Sequence, residues 1–139
     1  MQSFDVQVRG GGIVGAAAAL ALSRLGLSVA LAAPSAARGE DLRAYALNAA
    51  SVALLDSLKV WAALPADART AVYDMRVQGD GATAAAGSLR FSAWQQQVRE
   101  LAWIVDAAAL EAELVSALRY APHVVHAPEP MPAALQVVA

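Results

Sequence analysis

Apolar positions near the start of the chain follow a strand, helix, strand order. Phe4–Val8 leans apolar and predicts a strand, and the alanine-rich run Ile13–Leu25 predicts a helix. Ser28–Ala32 has no polar alternation, which is typical of a parallel strand buried on both faces. Gly26 lies where a left-handed helix cap belongs. Together these segments predict a β-α-β unit of about thirty residues, the minimal half of a nucleotide-binding sheet.

Further elements follow a loop predicted at Pro34–Glu40. Asn48 is predicted to cap a helix at Ala49–Leu58, and Val60–Leu64 predicts a short helix that ends before Pro65. Beyond it the pattern predicts a helix capped by Asp106 and running to about Tyr120, a turn at Pro128–Pro132, and strands at Ala71–Val77, Leu89–Trp94, Leu101–Val105, His123–His126 and Leu135–Ala139.

This order predicts the α/β fold class, as a Rossmann-like dinucleotide-binding domain with a parallel sheet and additional strands. The strands at about residues 71–105 are expected to contribute to a substrate-side sheet, part of a second region that is only partly represented. A parallel sheet seldom ends on a strand that nothing covers. Residues 1–139 are therefore predicted to be the N-terminal part of a larger protein whose remainder is absent.

Composition excludes several classes of function. The net charge of −2 gives no basic field, so nucleic acid is not an expected partner. The chain has no cysteine, and its only histidines, His123 and His126, are expected to face opposite sides of a strand, so no metal site is predicted. Arg24 interrupts the apolar run at 10–22 before it reaches the roughly 18 residues of a membrane span. A cytoplasmic protein is predicted, with peripheral membrane association left open.

Three glycines stand between the first strand and the first helix in the order G-x-G-x-x-G. A nucleotide pyrophosphate needs a tight turn, a backbone without Cβ atoms and the amino end of a helix aimed at the anion. Gly10 would supply the turn, Gly12 the close approach of the phosphates, and Gly15 the close packing of helix on strand. The motif serves both FAD and NAD(P), so the nucleotide stays open at this point.

Three segments together resemble one family. DVQVRGGGIVG at 5–15 is similar to the opening of the flavin-dependent aromatic hydroxylases. DLRAYALN at 41–48, followed by a helix and then Val60-Trp61, resembles the D-x-R-x-x-A-L segment of the ubiquinone-biosynthesis branch. AWIVD at 102–106, with Leu110 after it, resembles the strand-to-helix entry of that branch. The three pieces fall in the family order at about the family spacing.

The resemblance implies an enzyme, an FAD-dependent monooxygenase that uses NAD(P)H and O₂ to hydroxylate an aromatic ring. The substrate would be a small phenolic molecule similar to a ubiquinone precursor, and whether it is polyprenylated stays open. Arg43 matches the arginine that family members place near the flavin and its phosphates, a role that suits a planar, permanently charged group. The resemblance and the motif predict no catalytic residue within the chain, and cofactor contacts from Gly10, Gly11, Gly12, Ile13, Val14, Gly15, Ala33 and Arg43.

Two positions depart from the family pattern. An acidic residue ordinarily ends the second strand and holds the ribose hydroxyls, but that position is Ala33. Ala107 stands where the family often has asparagine. Two other functions therefore stay open: an NAD(P)-binding reductase or dehydrogenase, and a non-catalytic scaffold that kept the fold and lost tight FAD binding.

Overall fold

The computed structural model describes residues 3–33, 41–79 and 87–139, and the loop predicted at Pro34–Glu40 lies outside them. Among the described residues the secondary structure consists of nine strands and three helices, which are β1 Phe4–Arg9, α1 Ile13–Arg24, β2 Val29–Ala32, β3 Ala44–Leu47, α2 Ala49–Ser57, β4 Arg69–Val72, β5 Asp74–Gln78, β6 Ser88–Ser92, β7 Ala102–Asp106, α3 Ala107–Arg119, β8 Val124–Ala127 and β9 Ala133–Val138. Short 3₁₀ turns at Trp61–Ala63 and Ala66–Ala68 follow α2.

The predicted parallel sheet is confirmed, and it contains four strands in the order β8-β2-β1-β9. Every neighbouring pair in it runs parallel. Two helices, α1 and α3, pack against one face of this sheet, where Val8, Val29, Leu110 and Leu114 are buried in a single apolar core. The carboxyl ends of β1 and β2 therefore meet the amino end of α1 at one edge of the sheet.

The opposite face of the sheet is covered in another way. Gln7 alternates with Val8 along β1, so its side chain lies on the face away from the helices, yet it is fully buried. With its amide oriented to satisfy both groups, Gln7 donates to the carbonyl oxygen of Met131 over 3.1 Å and accepts from the amide of Met131 over 3.0 Å. A buried polar side chain is thus paired with the backbone of the segment that joins β8 to β9.

That joining segment, residues 128–132, is unusually short for two parallel strands at opposite edges of a sheet. Such connections ordinarily take a dozen or more residues. A link that crosses three strand spacings must span at least about 14 Å, and six extended Cα steps span at most about 20 Å. The segment therefore has little length to spare and must take a direct path. The segment predicted as a turn at Pro128–Pro132 bends at Pro128 and Glu129 and crosses the face of the sheet, where Met131 pairs with Gln7.

A separate antiparallel sheet, in the order β3-β7-β4, carries the segments between β2 and α3, and β5 pairs only with β6 among the described strands. The single strand predicted at Ala71–Val77 is wrong, because the chain changes partner at Tyr73. Before it, β4 pairs with β7; after it, β5 pairs with β6. The other predicted strands and helices are present with ends that differ by at most two residues, except that the Val60–Leu64 helix is a 3₁₀ turn.

Two predicted helix caps are confirmed. The Asn48 side chain accepts a hydrogen bond from the amide of Ser51 over 2.9 Å, and Asp106 accepts one from Ala109 over 2.8 Å. The end of α2 is held from another element, because the Arg24 guanidinium donates to the carbonyl oxygens of Ser57 and Leu58. None of the described helices has the length and apolarity that crossing a membrane requires.

Asp5 and Ser28 tie the starting ends of β1 and β2 together. The Asp5 carboxylate accepts from the Ser28 hydroxyl over 2.7 Å and from the Ser28 amide over 2.8 Å. These hydrogen bonds, the hydroxyl contributing most, lower the pKa of Asp5 below its ordinary value. Because the folded-state pKa is depressed, this stabilisation is present above the unfolded-state pKa and is lost as the pH falls through the folded-state value.

We predict that Asp5→Asn lowers the thermal unfolding midpoint at pH 6, and that the difference from the unsubstituted protein shrinks as the pH falls below about 4, the ordinary pKa of aspartate, and is lost below the depressed folded-state pKa. Thermal denaturation followed by circular dichroism between pH 3 and pH 7 measures this. Ser28→Ala, which removes the main donor, is expected to reproduce the same loss of pH dependence. A difference between Asp5→Asn and the unsubstituted protein that persists unchanged at pH 3 would contradict this account.

Candidate functional site

The amino end of α1 has the form of an anion-binding site. Gly12 occupies the N-cap position with an extended backbone, and no side chain caps the helix. The first turn carries no acidic residue. The first amides of an α-helix have no partner within the helix, and they coincide with the positive end of the helix dipole. This end of α1 therefore offers amide donors and favourable charge to a negatively charged group.

Gly10, just before α1, and Gly15, in its first turn, both lie where a side chain would strike backbone atoms. Gly10 has φ +129°, in the region that side chains disfavour, and a Cβ there would strike the carbonyl of Ala139. A Cβ on Gly15 would strike the carbonyl oxygen of Gly10. The turn assigned to Gly10 and the close packing assigned to Gly15 thus have a geometric basis in this fold.

Gly12 differs from both of these glycines. A Cβ built on Gly12 meets nothing within 4 Å, so packing within the described chain does not require glycine there. The backbone of Gly12 instead borders open space at the start of α1. That space is where a phosphate would approach if the amides of the first turn, including those of Ile13 and Val14, bind it.

Ala33 lies beside the glycine segment, directly after β2. Arg9 pairs with Ala32 across the sheet, and the amide of Gly10 donates to the Ala32 carbonyl over 3.0 Å. A Cβ on Gly11 would meet the Cβ of Ala33, so these two residues are neighbours. Ala33 is predicted to stand where a carboxylate ordinarily binds ribose, and its side chain has no carboxylate. Arg9 is exposed and lines a cavity of about 290 Å³ together with Gly10 and Ala32.

Arg43 precedes β3 and is paired with Asp41. Its Nε and Nη2 atoms each donate to the Asp41 carboxylate over 2.8 Å, and its backbone amide donates to the same carboxylate over 3.1 Å. This hydrogen-bonded pairing raises the pKa of Arg43 above its ordinary value, so the guanidinium stays charged. The guanidinium also lies over the Tyr45 ring, 5.8 Å from its centre. Asp41 was not predicted as the partner of Arg43, although residues two apart in an extended segment share one face.

An apolar cavity of about 330 Å³ lies between the three helices and connects these segments. The Arg43 carbonyl accepts a hydrogen bond from Ala107, the first residue of α3. Leu110, one turn further along α3, lines the cavity together with Ile13 and Val14 of α1. The segment that carries Arg43 is therefore joined through the first turns of α3 to the amino end of α1.

The described residues contain no group of three or more His, Cys, Asp or Glu side chains that could hold a metal ion. His126 lies within β8, and His123 lies just before it.

No protein-family model matches the chain, and no curated protein sequence matches it. Several solved structures are similar. PqsL from Pseudomonas aeruginosa, a probable FAD-dependent monooxygenase, matches 90% of this chain with a TM-score of 0.70 and 20% identity. The p-nitrophenol 4-monooxygenase PnpA from Pseudomonas putida DLL-E4 matches 91% with a TM-score of 0.67 and 21% identity. The flavin-dependent monooxygenase PieE, solved with FAD and substrate, matches 99% with a TM-score of 0.59 and 19% identity.

The similarity shows the fold. This chain has the mixed α/β architecture of FAD-dependent monooxygenases, with a parallel four-stranded sheet and further antiparallel strands. It spans 32% of the length of PqsL and of PnpA and 24% of that of PieE.

Gly15 and Gly12 differ in what an added side chain would meet, and this difference leads to a prediction. In Gly15→Ala the new Cβ strikes a backbone oxygen that cannot rotate away, so the overpacking cost is expected near the upper end of about 1–3 kcal/mol. That exceeds the roughly 1 kcal/mol that alanine gains over glycine inside a helix. Chemical denaturation should therefore show a lower free energy of unfolding.

Gly12→Ala is the matched control, because the same added methyl enters open space. The free energy of unfolding should change by less than about 1 kcal/mol, the range for exchanging N-cap residues. Equal destabilisation by both substitutions would show that Gly12 is also packed, and would remove the space assigned to a ligand.

Proposed function

We propose that this chain is the N-terminal part of an FAD-dependent monooxygenase that hydroxylates an aromatic ring with NAD(P)H and O₂. The observation that carries the proposal is the amino end of α1, where uncapped amides adjoin an open space at Gly12. The chain matches the fold of FAD-dependent monooxygenases over nearly its whole length, and this match supports FAD over other nucleotides. The resemblance of the 41–48 and 102–106 segments to the aromatic hydroxylases supports the reaction class.

The residues at this edge of the sheet fit the pyrophosphate of FAD. The amides that follow Gly10, through Ile13 and Val14, would donate to the phosphate oxygens, and the exposed guanidinium of Arg43 would add charge-assisted contacts. When bound, FAD supplies the redox and oxygen chemistry, for which protein side chains have no equivalent. The chain's own contribution is to bind the nucleotide and orient it.

Ala33 would border the adenosine ribose without a carboxylate to bind it. Its place beside Gly11 and directly after β2 supports this position. The ribose hydroxyls would then bind water or backbone groups, and the affinity for FAD would be lower than a carboxylate at this position gives.

The substrate side of the enzyme would begin at β5 and β6. Met75 pairs with Phe91 and Val77 pairs with Leu89, so the four apolar side chains share one face of this two-stranded ribbon, and each is 42% or more exposed. A two-stranded ribbon with an uncovered apolar face is marginal by itself, which supports its membership in a larger, substrate-side sheet. We propose a phenolic substrate similar to a ubiquinone precursor in a cytoplasmic protein. A polyprenyl substituent would bring the enzyme to the membrane surface.

We predict that the full-length protein purifies with flavin absorbance in the visible range, and that Gly12→Val abolishes FAD binding while leaving the far-ultraviolet circular dichroism intact. The physical reason is that an isopropyl group fills the open space where the phosphates would lie. Titration of FAD into the apoproteins, followed by flavin fluorescence, measures the loss. Gly79→Val serves as a control, because Gly79 lies after β5, has no positive φ, and a Cβ there meets only the Gly87 carbonyl oxygen at the ordinary contact distance of 3.7 Å.

An unchanged affinity in Gly12→Val would contradict the site. A full-length protein that binds NADPH but no FAD would contradict the function in favour of a reductase. Steady NADPH oxidation that an added phenol stimulates, with hydroxylated product detected by mass spectrometry, would exclude a non-catalytic scaffold.

A further inference from the structure

We propose that Asp41 is a positioning residue, which fixes the Arg43 guanidinium so that its free edge is presented to a phosphate of FAD. The inference rests on the proposed function and concerns a residue to which the sequence resemblance assigns no separate role. It follows from how the two side chains share their hydrogen bonds and from how differently they are exposed.

The geometry of the pair leaves one edge of the guanidinium available. Asp41 takes the edge formed by Nε and Nη2, with both distances at 2.8 Å. An arginine side chain has five N–H donors in a rigid plane, so Nη1 and the remaining Nη2 hydrogen stay accessible to a second bidentate acceptor. The Asp41 carboxylate also accepts a hydrogen bond from the backbone amide of Arg43 over 3.1 Å. The side chain and the backbone of Arg43 are therefore held by the same carboxylate.

The Asp41 and Arg43 side chains differ in their exposure to solvent. The Asp41 side chain is only 13% exposed, whereas that of Arg43 is 68% exposed. The carboxylate is therefore set into the protein, and the guanidinium projects from it toward solvent. An arginine held in this way loses less conformational freedom when it binds an anion, and preorganisation of that kind raises affinity.

Another aspartate–arginine pair in the chain provides a contrast. Arg90 approaches a single oxygen of Asp74 over 3.1 and 3.3 Å, and the two side chains are 62% and 55% exposed. This is an ordinary surface ion pair, whose contribution to stability is small. It joins β5 to β6 on the face of the ribbon opposite the apolar side chains, so it provides matched control variants.

The test is a double-mutant cycle on the full-length apoprotein with FAD affinity as the readout. Arg43→Ala is expected to weaken FAD about tenfold to a hundredfold by removing a charge-assisted contact. Asp41→Asn, which keeps the size of the side chain, is expected to weaken FAD about three- to tenfold. In the Arg43→Ala background, Asp41→Asn should have no further effect, because the group it positions is gone. Asp74→Asn and Arg90→Ala should leave FAD affinity unchanged.

Two further ligands identify the contacted group. ADP, which carries phosphates, should show the same coupling between Asp41 and Arg43, and riboflavin, which carries none, should show no coupling. Arg43→Lys gives a second cycle if alanine impairs folding, since a lysine cannot bind two acceptors in one plane and should lose the coupling.

Each other outcome overturns the inference. Tighter FAD binding by Asp41→Asn would show that Asp41 competes with the phosphate for Arg43. An equal loss of FAD affinity from Asp41→Asn with and without Arg43 would show that Asp41 has a structural role only. Coupling seen with riboflavin would place the contact elsewhere on the cofactor. These failures differ from failure of the proposed function, in which the unsubstituted full-length protein itself would not bind FAD.

Discussion

The close approach of α1 to the end of β1 is the constraint on which the rest of this structure depends. Gly15 packs its backbone against the carbonyl of Gly10, and Gly10 in turn packs against the carbonyl of Ala139, the residue after β9. A single methyl group at either glycine would separate the helix from the sheet or displace the edge strand. Because the helix lies this close, its first amides emerge at the carboxyl edge of the sheet, and the proposed phosphate site and the parallel sheet share one geometric cause.

Local signals explain why much of the fold was predictable. The G-x-G-x-x-G spacing, the alanine-rich helix and the caps at Asn48 and Asp106 each depend on residues within one turn or one strand. The chemistry of a tight turn also identified Gly10 and Gly15 correctly as positions that require glycine. These are the parts of the molecule in which nearby residues determine the conformation.

Features that depend on distant partners were missed. The strand break at Tyr73 arises because β4 and β5 pair with different strands, and no residue near Tyr73 indicates that exchange. A glutamine is unusual in a strand that is buried on both faces, and only the fold shows that the backbone of Met131 pairs with Gln7. At the site, Arg43 was identified from its motif, but its partner Asp41 was not, because the motif indicates residue types and not hydrogen bonds. The assignment of Ala33 to the ribose stays a prediction.

The pairing of β1 with β9 has a consequence for how the chain folds as it is made. Phe4 lies opposite Ala133, so the central strand pairs on one side with a neighbour about 25 residues away and on the other with one about 130 residues away. At roughly 5–20 residues per second, the ribosome would release β9 about 5–20 s after β2. During that interval the unpaired edge of β1, with Val6 and Val8, is available to other chains, and such an edge invites aggregation. Synthesis rate and chaperone supply would then affect the yield of folded protein more than its final stability would.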